Sequence, residues 1–211
     1  MSTTTFAPGG YRFIPGMFQY SGGVAAEPGF RIERVRFRKP VPLLEGFRRI
    51  EAIIGEARRP MTSFCACELR SPEPFSEAGF IAFNQHYVGT LADWRVYDPA
   101  TKVNPVARSN VCPEINKPAE PSFHAFSFTV PAPNAAPTFV VSGSGEAPEG
   151  RGSYGKFVVR PGDTSAEGMA EKARAVLGEM ERRMGLLGAS WREATAAQVY
   201  TVFPVHSFLA D

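Results

Sequence analysis

Two stretches of this chain carry the same short words in the same order. Phe18-Gln19-Tyr20-Ser21-Gly22 and Phe139-Val140-Val141-Ser142-Gly143 both read F-x-x-S-G. At the same offset Arg38-Lys39-Pro40 falls on Val159-Arg160-Pro161, and one residue further on Glu45-Gly46-Phe47 falls on Glu167-Gly168-Met169. Each Glu-Gly triplet enters a segment of helical periodicity, and a strand-like stretch follows each helix, at 62–69 and at 195–203. Matches that keep register and element order point to duplication of one sheet-and-helix unit. Such a chain belongs to the α+β class, with helices covering one face of each sheet. The copies are unequal. The first continues with another helix and two strands, whereas the second stops at Asp211. Either the missing strands come from elsewhere or the natural C-terminus lies further on.

Apolar residues at three- and four-residue steps predict three helices. The first spans 43–57 (Leu43, Leu44, Phe47, Ile50, Ile53, Ile54, Ala57) and is stopped by Pro60. The second spans 76–92 (Phe80, Phe83, Tyr87, Leu91) with Ser76 as N-cap. The third spans 164–187, with Met169, Ala173, Val176, Leu177, Met180, Met184 and Leu187 as a packing stripe. Thr164 and Glu167 suit a capping box there, and Gly188 suits the C-terminal turn. Strands are expected over 17–24, 31–38, 62–69, 107–112 and 122–130, then over 138–141, 156–160 and 195–203. The prolines between Pro131 and Pro137 read as a stiff linker. The division is therefore an extension over 1–15, a first unit over 16–131, a linker over 132–137 and a partial second unit over 138–211.

With 44% hydrophobic and 21% charged residues, the chain can bury a core. Its net charge of +2 gives no footprint for nucleic acid or an acidic membrane surface. Arg31, Arg34, Arg36, Arg38 and Lys39 fall mostly on alternate positions, as on one solvated strand face. No apolar run approaches the about 20 residues of a membrane span. Met1 to Gly10 lacks the charged and apolar regions of a signal peptide. Cys65, Cys67 and Cys112 are an odd set that implies no disulfide framework, so a reduced, cytoplasmic setting is expected. Three thiolates can bind zinc, but C-x-C without C-x-x-C or H-x-E reads better as small buried apolar groups. The zinc deaminase pattern, the Walker loop and G-x-S-x-G are absent, and Gly143-Ser144-Gly145 is too short for a nucleotide loop. No cofactor and no metal are expected.

The turn and strand Asn104-Pro105-Val106-Ala107-Arg108-Ser109-Asn110-Val111 carry a P-x-A-R-S-x-V-like signature. Together with Ser-Gly at the end of the first strand, Phe83-Asn84-x-x-Tyr87, and Leu187-Gly188-Ala189-Ser190, this resembles the reactive intermediate deaminase (Rid) family. The resemblance runs over about 17–130 and again over 138–203. Within the family, the long two-copy layout with Ser109-Asn110-Val111-Cys112-Pro113-Glu114 is similar to deaminases of 2-aminomuconate or 2-amino-5-chloromuconate. The resemblance implies tandem ferredoxin-like (chorismate-mutase-like) units, sheets inward and helices outward, in a homotrimer or pseudo-hexamer with clefts between subunits or units. It implies hydrolysis of an enamine or imine carboxylate to a ketone and ammonia, with Arg108 holding the substrate carboxylate.

The residues themselves suit that chemistry. A guanidinium presents a planar fork that matches a carboxylate. Alone, Arg108 reads equally as a partner in a surface or inter-subunit ion pair. A dicarboxylate needs a second cation, and Arg70, Arg160 and Lys117 are the candidates. Ser109, with Ser142, Gly143 and their twins Ser21 and Gly22, can offer hydroxyl or backbone donors; the glycines equally suit a bulge or tight turn. The resemblance implies a glutamate on the last strand, yet Ser122-Phe123-His124-Ala125-Phe126-Ser127-Phe128 has no acid. His124, titrating near neutrality, is the replacement candidate for proton transfer, and Glu120 and Glu114 flank the strand as alternative acids. Two other readings stand beside the aminomuconate one: a general scavenger of enamines and imines, and a trimeric small-carboxylate-binding protein that catalyses nothing.

Overall fold

The computed structural model describes residues 2–147 and 156–208. The side chains of Glu77, Ala78 and Phe80, the last expected in a helical stripe, lie outside the described residues. The chain is α+β, with two four-stranded sheets. One sheet orders β1 (Thr4–Phe6), β2 (Tyr11–Ile14), β3 (Gly23–Ala26) and β8 (Phe139–Val141), all antiparallel. The other orders β4 (Phe30–Pro42), β7 (Ser122–Pro131), β5 (Phe64–Arg70) and β6 (Ala107–Val111), with β5 and β6 parallel.

Alternation along each strand sorts side chains into layers. Val35, Cys67, Leu69, Phe126 and Phe128 point from the second sheet into a core capped by α1 (Leu43–Glu56) and α2 (Glu77–Asp93). Trp94 closes that core edge-on against Phe47 and Phe64, and its indole N–H donates to Glu51 at 2.8 Å. On the opposite face, Ile32, Cys65, Ala66 and Ala107 meet Tyr11, Phe13 and Val24 of the first sheet. Beyond that sheet, Leu186 and Leu187 of α3 (Ala166–Leu187) pack on Ile14, Ala25, Phe139 and Val141. The order of layers is thus helices, sheet, sheet, helix. Among the described residues no helix is long and apolar enough to cross a membrane.

The helices fall close to their expected bounds, with Ser76 accepting from the Gly79 N–H and Gly188 left-handed after α3. Ser165 caps α3 in place of Thr164, accepting from the Gly168 N–H. The α3 stripe is buried only at its C-terminal end, through Met184 and Leu187; Leu177 is exposed. Residues 4–14, read as an extension, supply β1 and β2; strands this short show no alternation to detect. The expected strand over 17–24 begins only at Gly23, because Ser21 bridges to Ala107 of the other sheet. Residues 156–160 and 195–203 form no strands. Both edges of β5 are taken by β6 and β7, so the 195–203 segment crosses the sheet face, held by side chains at Gln198 and Tyr200.

Candidate active site

The two F-x-x-S-G segments meet at the outer edge of β6. The Ser21 N–H donates to the Val106 carbonyl at 2.8 Å, and the Gly22 N–H to Ile14 at 2.9 Å. Gly22 lies in close approach: a Cβ there would be 3.1 Å from Ile14 Cγ2, so that side chain would have to give by a few tenths of an ångström. Gly143 has room, with Ser109 Cβ at 3.6 Å. Ser142 joins the segments: its hydroxyl donates to the Ser21 carbonyl at 2.5 Å and accepts from the Arg108 N–H at 3.0 Å. Asn104 braces the same corner, donating to Phe18 O at 3.1 Å and accepting from the Val106 N–H at 3.0 Å. The backbone of Arg108 is therefore fixed from both sides.

Its side chain points toward α2. The guanidinium carbon lies 4.9 Å from the Tyr87 ring centre, 5.2 Å from Tyr20 and 5.9 Å from Phe83. Nη1 donates to Asn84 Oδ1 at 2.8 Å. Arg108 is only 5% exposed, and among the described residues no carboxylate pairs with it. Stacking on rings recovers part of the hydration lost on burial, but a buried cation without a counter-charge still costs free energy. The arrangement favours an incoming anion. The Cys67 sulfur lies 3.4 Å from the Tyr87 hydroxyl, and burial pushes that thiol up to about 12, so it is a neutral wall. Cys65 is buried and Cys112 exposed, and no metal-binding cluster occurs among the described residues.

The other face of the same sheet holds His124. Burial, then the nearby Arg70 charge, lowers its pKa, so the imidazole is neutral near pH 7. Beside it Arg34 grips Glu68 with two bonds, at 2.6 and 3.0 Å, and Gln198 adds a third at 3.2 Å. Burial opposes the ionised Glu68, but these bonds and the Arg34 charge win and lower its pKa. Arg70 is buried, donates to the Tyr200 hydroxyl at 3.0 Å and stacks on that ring. Within one chain, then, Arg108 and His124 lie on opposite sides of one sheet. Glu114 and Glu120 are exposed on the loop before β7. Of the other expected cations, Arg160 pairs with Asp163 and Lys117 with Glu73.

Sequence reading named Arg108, Ser109, Ser21, Gly22, Ser142 and Gly143, and the fold gathers all six around β6. It missed Tyr20, Asn84, Tyr87 and Arg183 as site residues. Asn84 had a signal: an amide between Phe83 and Tyr87 on a core-facing helical stripe needs a buried partner.

A family model described as 2-aminomuconate deaminase CnbZ matches residues 3–211. A 2-amino-5-chloromuconate deaminase from Comamonas testosteroni is 54% identical over 199 residues, covering 93% of this chain and 78% of the relative. No solved structure matches.

Proposed function

This chain belongs to the 2-aminomuconate deaminase family, and from that premise we propose that it converts a 2-aminomuconate-like enamine carboxylate to the 2-oxo acid and ammonia. The observation that carries the proposal is the buried Arg108 guanidinium. It is walled by Tyr20, Phe83 and Tyr87, oriented by Asn84, and without a carboxylate among the described residues. A flat conjugated carboxylate suits such a slot, because the fork meets the carboxylate in plane while the rings line the conjugated chain.

A proton is added to the enamine carbon and one is lost from the nitrogen, giving the imine. Water then adds to the C=N carbon to give a carbinolamine, the nitrogen takes up a proton, and the C–N bond breaks to release ammonia as the hydroxyl gives up its proton to leave the carbonyl. Arg108 fixes the substrate and so converts these steps into reactions of a positioned molecule. Proton transfer requires a group that is neutral and basic near pH 7. His124 has that character, and we assign it the role with Glu120 and Glu114 as alternatives. Since His124 faces away from Arg108 within one chain, it serves a cleft completed by a second copy, which fits the Rid-like trimer or pseudo-hexamer with inward sheets. No cofactor enters the scheme, and a cytoplasmic setting in the breakdown of aromatic compounds goes with it.

Loss of the 2-aminomuconate ultraviolet band, with release of ammonia, tests this directly. Removing one charge-assisted fork lowers kcat/KM by about 100-fold in Arg108→Ala, the scale of a lost bond to a charged group. Turnover confined to amino-acid-derived imines supports the scavenger reading instead. Binding without turnover supports the non-catalytic one, which is favoured by the absence of a glutamate from the strand segment 122–128.

A further inference from the structure

Among the described residues the largest fully buried side chain is a second arginine, Arg183, 1% exposed near the end of α3. It is a cation of the helix that packs on the first sheet, with both sheets lying between it and α2. Its Nε donates to Glu179 Oε1 at 2.7 Å, one helical turn earlier. Its Nη1 donates to the Ser142 carbonyl at 3.1 Å and reaches the Gly143 carbonyl at 3.5 Å. These are the residues whose hydroxyl and backbone tie β8 to Ser21 and to Arg108.

We infer that Arg183 is a positioning residue: with Glu179 it clamps the Ser142–Gly143 turn, and through the Ser142 hydroxyl it sets the strand that presents Arg108. The inference rests on the reading of Arg108 as the carboxylate anchor. Three features carry it. First, the clamp is a fixed fork. Glu179 holds one edge of the guanidinium, so the other edge meets the turn in one orientation. Second, the hydroxyl of Ser142 is used twice. It donates to Ser21 O and accepts from Arg108 N, so a shift of the turn reaches both sides of the β6 edge at once. Third, the cation of the pair is buried and its carboxylate half-buried, with the Arg183 side chain 1% and the Glu179 side chain 28% exposed. An ion pair this enclosed is a poor source of stability against an apolar substitute, so a role in fixing geometry accounts better for its presence. The clamp also gives α3 a task at Arg108, which it does not touch.

The test compares Arg183→Met, Arg183→Lys, Glu179→Gln and Ser142→Ala with the parent chain in two ways. Steady-state turnover of 2-aminomuconate separates KM from kcat. Carboxylate anchoring is uniform binding, so Arg183→Met raises KM about tenfold and leaves kcat within about twofold, and Arg183→Lys recovers part of the loss. Amide exchange followed by NMR reads the Arg108 N–H directly. It exchanges about 100-fold faster in Arg183→Met and in Ser142→Ala, while the amides of β7 keep their protection. A merely structural role gives the opposite pattern: a smaller active fraction at unchanged KM, and an Arg108 amide no faster than in the parent. That result overturns the inference. If Arg183→Met does not fold, Arg183→Lys and Glu179→Gln decide it by the same two criteria. If the parent turns over no aminomuconate, the proposed function fails, and the exchange of the Arg108 amide alone decides the clamp.

Discussion

Arg108 and His124 illustrate how one sheet gives two polar side chains opposite surroundings. Arg108 is enclosed by rings and Asn84, whereas His124 sits among Glu68, Arg70, Arg34 and Arg36. A buried cation without a counter-charge is kept at the expense of stability. Arg108→Met, which leaves an apolar stem between the rings, therefore matches or exceeds the parent in Tm while activity is lost; thermal melts beside the turnover assay check both halves. His124 makes a pH prediction. Its pKa is lowered in the folded chain, so the unfolded chain binds the extra proton first as pH falls below about 6.5. Stability from the neutral imidazole is complete above that pH and is lost down to the lowered value. Glu68 acts in the same direction at lower pH, since its lowered pKa gives stability that is lost as acid protonates it. His124→Asn therefore flattens the upper part of the acid limb in a pH series of melts and leaves the lower part in place.

At the level of elements, α1 shows what sequence can specify. Its apolar stripe, its C-terminal stop and its fit to β7 follow from Leu43, Phe47, Ile50, Ile54 and Pro60. Gly46 is part of that fit, because a Cβ there would lie 2.4 Å from the Phe123 ring. Gly46→Ala destabilises by about 1–3 kcal/mol through overpacking, measurable by urea titration. The strands following the second F-x-x-S-G segment were less legible. Residues 195–203 alternate like a strand, but periodicity cannot tell whether an edge is free. Every edge of β5 was already paired, so Gln198 and Tyr200 cross the face instead. The signature around Arg108 was legible because its residues are contiguous. Tyr20 and Arg183 were not, because they come from distant parts of the chain that only the folding of the loop before β3 and of α3 brings to the edge of β6.

For the whole molecule, the layering assigns separate tasks to the two parts of the chain. The first supplies the sheet and α2 that enclose the Arg108 side chain, and the second supplies β8 and α3, which brace the edge of β6. A cleft that uses Arg108 of one copy and His124 of another has a simple consequence. Mixing equal amounts of Arg108→Ala and His124→Ala subunits, after dissociation and reassembly, restores about a quarter of the sites that each variant alone lacks, since random pairing regenerates intact clefts. Both variants remaining inactive when mixed would place the proton carrier elsewhere, with Glu120 and Glu114 next in line. The most direct measurement is calorimetric titration of muconate, which lacks the reacting amine, into the parent and into Arg108→Met. The anchor predicts saturable binding by the parent and a loss of affinity of about 100-fold in the variant at unchanged or higher Tm. Equal binding by the two proteins would contradict it.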